Sequence, residues 1–177
     1  MNYINKSKRD ILIFPKFDNV EKIQNIRKKY DELYDLIEPH ITVAFPFSND
    51  ISNKELKTKL IEVLKEVKPF KVVCEGVSLK KDNRIGKYYI FLNITEGKEK
   101  INNIHLEVYN KILTNVDIKN YNYEPHITLG TTENSKEQII LNEKFETIID
   151  EISVEEIGKN EESNILFTIK MGRKYKI

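Results

Sequence analysis

A six-residue segment occurs twice in this chain. Glu38-Pro39-His40-Ile41-Thr42-Val43 returns 86 residues later as Glu124-Pro125-His126-Ile127-Thr128-Leu129, with the last residue alone changed. That interval is close to half of the 177 residues. A duplication at such a spacing predicts two structurally equivalent halves, each contributing one copy of the segment.

The flanking patterns support this. Arg9 to Phe14 is a short β-rich run. Asp18 is a candidate N-cap for a helix reaching about Leu36, with Val20, Ile23, Ile26, Tyr30 and Leu33 at helical spacing. His40 to Phe47 reads as a strand. Ser52 opens a second helix with Glu55 as its capping-box partner, and Phe70 to Leu79 reads as a strand. The second half repeats the order. It has a strand from Lys87 to Ile94, a helix from about Gly97 to Val116, a strand from Pro125 to Thr131, and a helix opening at Ser135. Glu151 to Gly158 and Asn164 to Met171 then form a hairpin around Asn160. The expectation is one bilobal α+β domain over 1–177 made of two β-α-β-α-β lobes, about 1–82 and 83–177, with the C-terminal strands free to pack across them.

In a strand, residues i and i+2 share a face. His40 and Thr42 therefore present an imidazole and a hydroxyl side by side, as do His126 and Thr128. Facing each other across a pseudo-twofold cleft, the pairs surround one point with two imidazoles and two hydroxyls. Phosphodiester cleavage needs a group to take a proton from the attacking oxygen and another to give one to the leaving oxygen. Histidine, with an ordinary pKa near ~6.5, does either. The threonine hydroxyls can donate to phosphate oxygens where charge develops. No metal and no cofactor is expected. Glu38 and Glu124 are read as solvated strand ends or as partners orienting the rings, with metal ligation by two glutamates and two histidines as the rival.

Other residues fall into place around these. His105, on a helix beside Ile101, Ile104 and Val108, is read as structural packing, and Cys74 as a buried thiol. Phe45 and Phe47 are assigned to the core. Tyr121 and Tyr123 follow a polar stretch and are the candidates for stacking a nucleobase. Two basic clusters, Lys80/Lys81/Arg84/Lys87 and Lys170/Arg173/Lys174/Lys176, are read as solvated surface. The net charge of +1 argues against a protein gripping long DNA and favours a nucleotide or short RNA substrate. The single cysteine suits a reducing cytoplasm, and no segment reads as membrane-spanning. A monomer is expected.

The two His-x-Thr segments, their order and their spacing resemble the 2H phosphoesterases. This superfamily includes the 2′-5′ RNA ligase-like proteins and the 2′,3′-cyclic nucleotide phosphodiesterases. Pro39-His40-Ile41-Thr42 followed by Phe45-Pro46-Phe47 is similar to its small bacterial phosphoesterases. The resemblance implies a bilobal fold with antiparallel sheets flanking a central cleft, His40 and His126 as acid and base in either order, and Thr42 and Thr128 as phosphate-binding groups. Many ligase-like members carry an arginine soon after the second motif. Here Gly130-Thr131-Thr132 stands there, which points to hydrolysis over ligation. The expected activity is cleavage of a 2′,3′-cyclic phosphate or a 2′-5′ linkage. The alternatives are a 2′-5′ RNA ligase, a cyclic-dinucleotide hydrolase, a metal-dependent hydrolase and a nucleotide-binding protein without turnover.

Overall fold

The computed structural model describes residues 8–116, 118 and 122–173. In chain order the elements are β1 (Lys8–Ile13), α1 (Val20–Tyr30), β2 (Ile41–Phe47), α2 (Asn53–Leu64), β3 (Phe70–Asp82), β4 (Lys87–Glu96), α3 (Lys98–Lys111), β5 (His126–Thr132), β6 (Phe145–Ile149), β7 (Glu151–Ile157) and β8 (Ser163–Lys170). The strands form one antiparallel sheet in the order β6-β3-β4-β5-β2-β1-β7-β8. Ile11, Ile41, Val43, Ile90, Leu92, Ile127 and Leu129 from the sheet pack with Ile23, Leu56, Leu60, Ile101, Ile104 and Val108 from the helices in one core. No helix among the described residues is long and apolar enough to cross a membrane.

The duplication is visible in the topology. β1-α1-β2 and β4-α3-β5 are equivalent units, and the motif strands β2 and β5 meet at the middle of the sheet. The helices cross over, α1 packing on β5 and α3 on β2. Each motif strand also carries a bulge at the same place. Leu12 faces Thr42 and Ile11 faces Ala44, which leaves Val43 extra. Phe91 faces Thr128 and Ile90 faces Gly130, which leaves Leu129 extra. Bulges re-aim side chains and tighten twist, and here both follow the motif threonine. The flanking strands do not follow the sequence halves. β3 pairs with β4 and β6, while β7 and β8 extend the sheet beyond β1.

Three local expectations change. The first helix ends at Tyr30, short of Leu36, and begins after Asn19 instead of Asp18. Asp31 turns extended, and its carboxylate takes the Leu33 amide and the Arg27 guanidinium, diverting the chain from the helix. No helix forms at Ser135. Asn134 accepts from the Lys136 amide, and Glu137 is drawn away by the Tyr30 hydroxyl, 107 residues distant in sequence, at 2.7 Å. The segment instead leads into β6, an unanticipated strand whose Phe145 and Ile149 are buried. By contrast Ser52 caps α2 through the Glu55 amide, as its sequence predicts.

Candidate active site

β2 meets β5 at one register pair, Ile41 opposite Ile127. An antiparallel register through that pair runs His40 towards Thr128 and Thr42 towards His126. The alternation holds in both strands. Ile41, Val43, Ile127 and Leu129 are buried in the core, while His40, Thr42, His126 and Thr128 are half-buried on the other face. The apolar residues of the motif anchor the strand and so aim the polar ones.

The two imidazoles are held identically. His40 Nδ1 lies 2.8 Å from the Glu38 carbonyl oxygen, and His126 Nδ1 lies 2.7 Å from that of Glu124. A carbonyl accepts only, so each Nδ1 carries the hydrogen, and Nε2 is left as the atom that can exchange a proton. The repeated glutamates therefore orient the rings through their backbones. Their carboxylates turn elsewhere, Glu38 to Gln24 at 3.1 Å and Glu124 to Lys98 at 3.0 Å and Lys80 at 3.2 Å. Among the described residues no three His, Cys, Asp or Glu side chains converge as a metal site.

Both imidazoles titrate below the ordinary histidine value. Burial is the main cause for each. The Arg27 guanidinium pushes His40 further down, against the carbonyl bond and Asp31. His126 is pulled up by the Glu124 carbonyl and carboxylate, and down by His40 and Lys80.

Aromatic rings extend the site along β4. Phe91 stacks on His126 with centroids 3.4 Å apart, and Tyr89 stacks on Phe91 at 5.9 Å. On the other side Phe14 lies tilted at 6.1 Å from His40. A cavity of about 920 Å³ opens over Thr42, Thr128, His126, Phe91 and Tyr89, with Lys80, Lys81 and Arg84 at its wall. A second, of about 750 Å³, opens beside Glu38 and Pro39. The period-two pattern Tyr89-x-Phe91 was the signal that could have placed these aromatics on one face.

The structure brings together His40, Thr42, His126 and Thr128. Tyr121 lies outside the described residues. Tyr123 is in the cavity wall, with one ring face against His105 at 3.6 Å and its hydroxyl donating to the Thr42 carbonyl at 2.7 Å. Of the basic clusters, Lys80, Lys81 and Arg84 are exposed, as their sequence reading has it, and stand at the cavity wall, with Lys80 paired to Glu124 and Arg84 to Asp82. Lys170 is tied to Asp150 and Glu151. Phe47 is buried and Phe45 half-buried. Cys74 is fully buried, and burial pushes its thiol up to about 12.

Residues 15–165 match the profile of the 2′-5′ RNA ligase superfamily. The chain belongs to that superfamily, and with its two His-x-Thr segments it is a 2H phosphoesterase. It is 29% identical over 127 residues to a Geobacillus sp. (strain WCH70) protein named "Putative phosphoesterase", covering 70% of this chain and 68% of that one. It is 30% identical over 133 residues to a Bacillus licheniformis protein of the same description, covering 70% of each. The fold is similar to that of E. coli LigT in complex with 3′-AMP, with a TM-score of 0.66 at 13% identity over 96% of this chain and 100% of the other. It is likewise similar to LigT in complex with NADP+ (TM-score 0.64, 12% identity, 96% and 100%) and to TT0787 of Thermus thermophilus (TM-score 0.60, 10% identity, 95% and 100%).

Proposed function

We propose that the chain cleaves a phosphodiester in a small nucleotide or short RNA end by acid–base catalysis between His40 and His126. The preferred substrates are 2′,3′-cyclic phosphates and 2′-5′ linkages. The observation that carries this reading is the pair of Nδ1–carbonyl bonds, which puts both imidazoles in one tautomer with Nε2 as the proton-exchanging atom. One neutral Nε2 takes the proton of an attacking water as its oxygen bonds to phosphorus. The other, protonated, gives its proton to the departing ribose oxygen as the P–O bond breaks. Thr42 and Thr128 donate to the non-bridging oxygens, where negative charge builds.

The surroundings favour a nucleotide. Tyr89 and Phe91 offer a stacking platform leading away from His126, and Lys80, Lys81 and Arg84 stand where a further phosphate would lie. Tyr89 is better placed for a base than Tyr123, whose ring face and hydroxyl are engaged. LigT, similar in fold, is seen with 3′-AMP and with NADP+. The test is turnover, with EDTA present, of a panel of 2′,3′-cyclic mononucleotides, 2′-5′-linked dinucleotides and cyclic dinucleotides. Hydrolysis of the first or second class supports the reading. Turnover of cyclic dinucleotides alone would move the substrate, and tight binding without product would replace catalysis by a sensing role.

A further inference from the structure

The first motif strand is paired with β1 along its length but with β5 at one position alone. β2 parts from β5 after Ile41, and on the β1 side its register breaks at Val43. Backbone groups of a strand that lie beyond the ladder on one side, or at a bulge on the other, must be satisfied elsewhere or pay their desolvation. In this strand three such groups find side chains. The Thr42 carbonyl accepts from the Tyr123 hydroxyl at 2.7 Å, the Val43 carbonyl from His105 Nδ1 at 2.7 Å, and the Phe45 amide donates to the Tyr109 hydroxyl at 3.2 Å.

The three side chains form one unit. His105 is 2% exposed and sits on α3, one turn from Tyr109. Its ring is parallel to that of Tyr123, with centroids 3.6 Å apart at 3°, and 4.7 Å from that of Tyr109. Phe45 closes edge-on against Tyr123 at 6.3 Å. Burial raises the Tyr123 hydroxyl and lowers the His105 imidazole, so at neutral pH the first stays a donor and the second stays neutral. Tyr123 itself stands three residues before His126. The unit therefore ties the lead-in to the second motif to the backbone of the first.

We infer that His105, Tyr109 and Tyr123 are positioning residues that fix the Thr42 hydroxyl against the His126 side of the site. None of them is called on to touch the reacting atoms. The inference rests on the proposed role of Thr42 at the phosphate. A hydroxyl aimed at charge that develops only in the transition state affects kcat more than KM. Loosening its backbone therefore slows turnover without weakening substrate binding.

The test uses the full chain with Tyr123→Phe, which keeps the stacked ring and removes the donor, His105→Phe, which keeps a planar ring without the Nδ1 hydrogen, and Ile104→Val as a control buried on the same helix. Two readouts are taken, kcat and KM on a phosphodiester the wild type hydrolyses, and hydrogen exchange of individual amides. Tyr123→Phe and His105→Phe are expected to lower kcat about five- to a hundredfold with KM within about twofold. Exchange should quicken at Thr42 to Phe45 and stay unchanged at Ile127 to Leu129. Wild-type kcat, or a loss matched by Ile104→Val at equal melting temperature, overturns the inference while the catalytic reading stands. Absence of turnover by the wild type would count against the catalytic reading, and the exchange pattern would still decide whether these side chains hold β2.

Discussion

Ile41 and Ile127 face each other across the register pair that joins the two halves of the sheet. Both are fully buried, and each is the middle residue of a His-x-Thr segment. The contact that closes the core is thus the contact that sets the polar side chains of the two segments beside one another. Fold and site share an axis, and the duplicated sequence follows from it.

The titration of the two histidines gives a prediction for the rate. Burial holds both below the ordinary value, and the productive form has one protonated and one neutral. The pH dependence of kcat/KM, which reports the free enzyme, should be a bell with its maximum below about 6.5. A rate that climbs to a plateau above pH 8 would contradict the acid–base pair.

Asp10 on β1 and Glu155 on β7 stand opposite each other, 6% and 3% exposed. Ser163 donates to Glu155, while Asp10 Oδ1 has no hydrogen-bond partner among the described residues. Burial first, and then the Glu155 charge, raise the Asp10 carboxyl to about 8. The folded state then holds a proton that the unfolded chain releases near its ordinary value of 3.8. The contribution of this group to stability should therefore be full below that value and be lost as pH rises from about 4 to about 8, by on the order of a few kcal/mol. Asp10→Asn should flatten the slope in urea unfolding across this range. An equal slope in the variant would place the proton elsewhere.

Gly130, directly after the second motif, stands where no side chain fits. Its φ is +130°, and a Cβ there would lie 2.1 Å from the carbonyl oxygen of Tyr30, at the end of α1. Any side chain would push the helix off β5, next to the bulge that aims Thr128. Gly130→Ala should cost about 1–3 kcal/mol or more, seen as a lowered melting temperature. An unchanged melt would mean that α1 does not press on the strand.

Tyr89, half-buried over the cavity, should matter to binding more than to stability. Tyr89→Ala should raise KM for a nucleotide substrate about five- to a hundredfold, the range for one base–aromatic stack, with little change in melting temperature. A wild-type KM would remove the stacking platform from the account.

Much of this was legible in the sequence. The repeat placed His40, Thr42, His126 and Thr128 together because period-two alternation and a duplicated core leave few other arrangements. Ser52 and Glu55 announced α2 because an N-cap is a local interaction. The helix expected at Ser135 failed for the opposite reason, since Tyr30, far away in sequence, claims Glu137. The polar loop beside Tyr123 marks it as a base platform in the sequence, and only the fold shows that His105 covers one of its faces. Strand β6 and the exchange of strands between the halves depend on long-range pairing, which local pattern does not encode.

The most direct test of the central claim is single-turnover cleavage, in EDTA, of the substrate that the wild type hydrolyses fastest, compared among wild type, His40→Ala, His126→Ala and the double variant. Two imidazoles acting as one unit predict that each single variant loses on the order of a thousandfold or more and that the double variant loses little beyond that. Wild-type cleavage by either single variant would contradict the account.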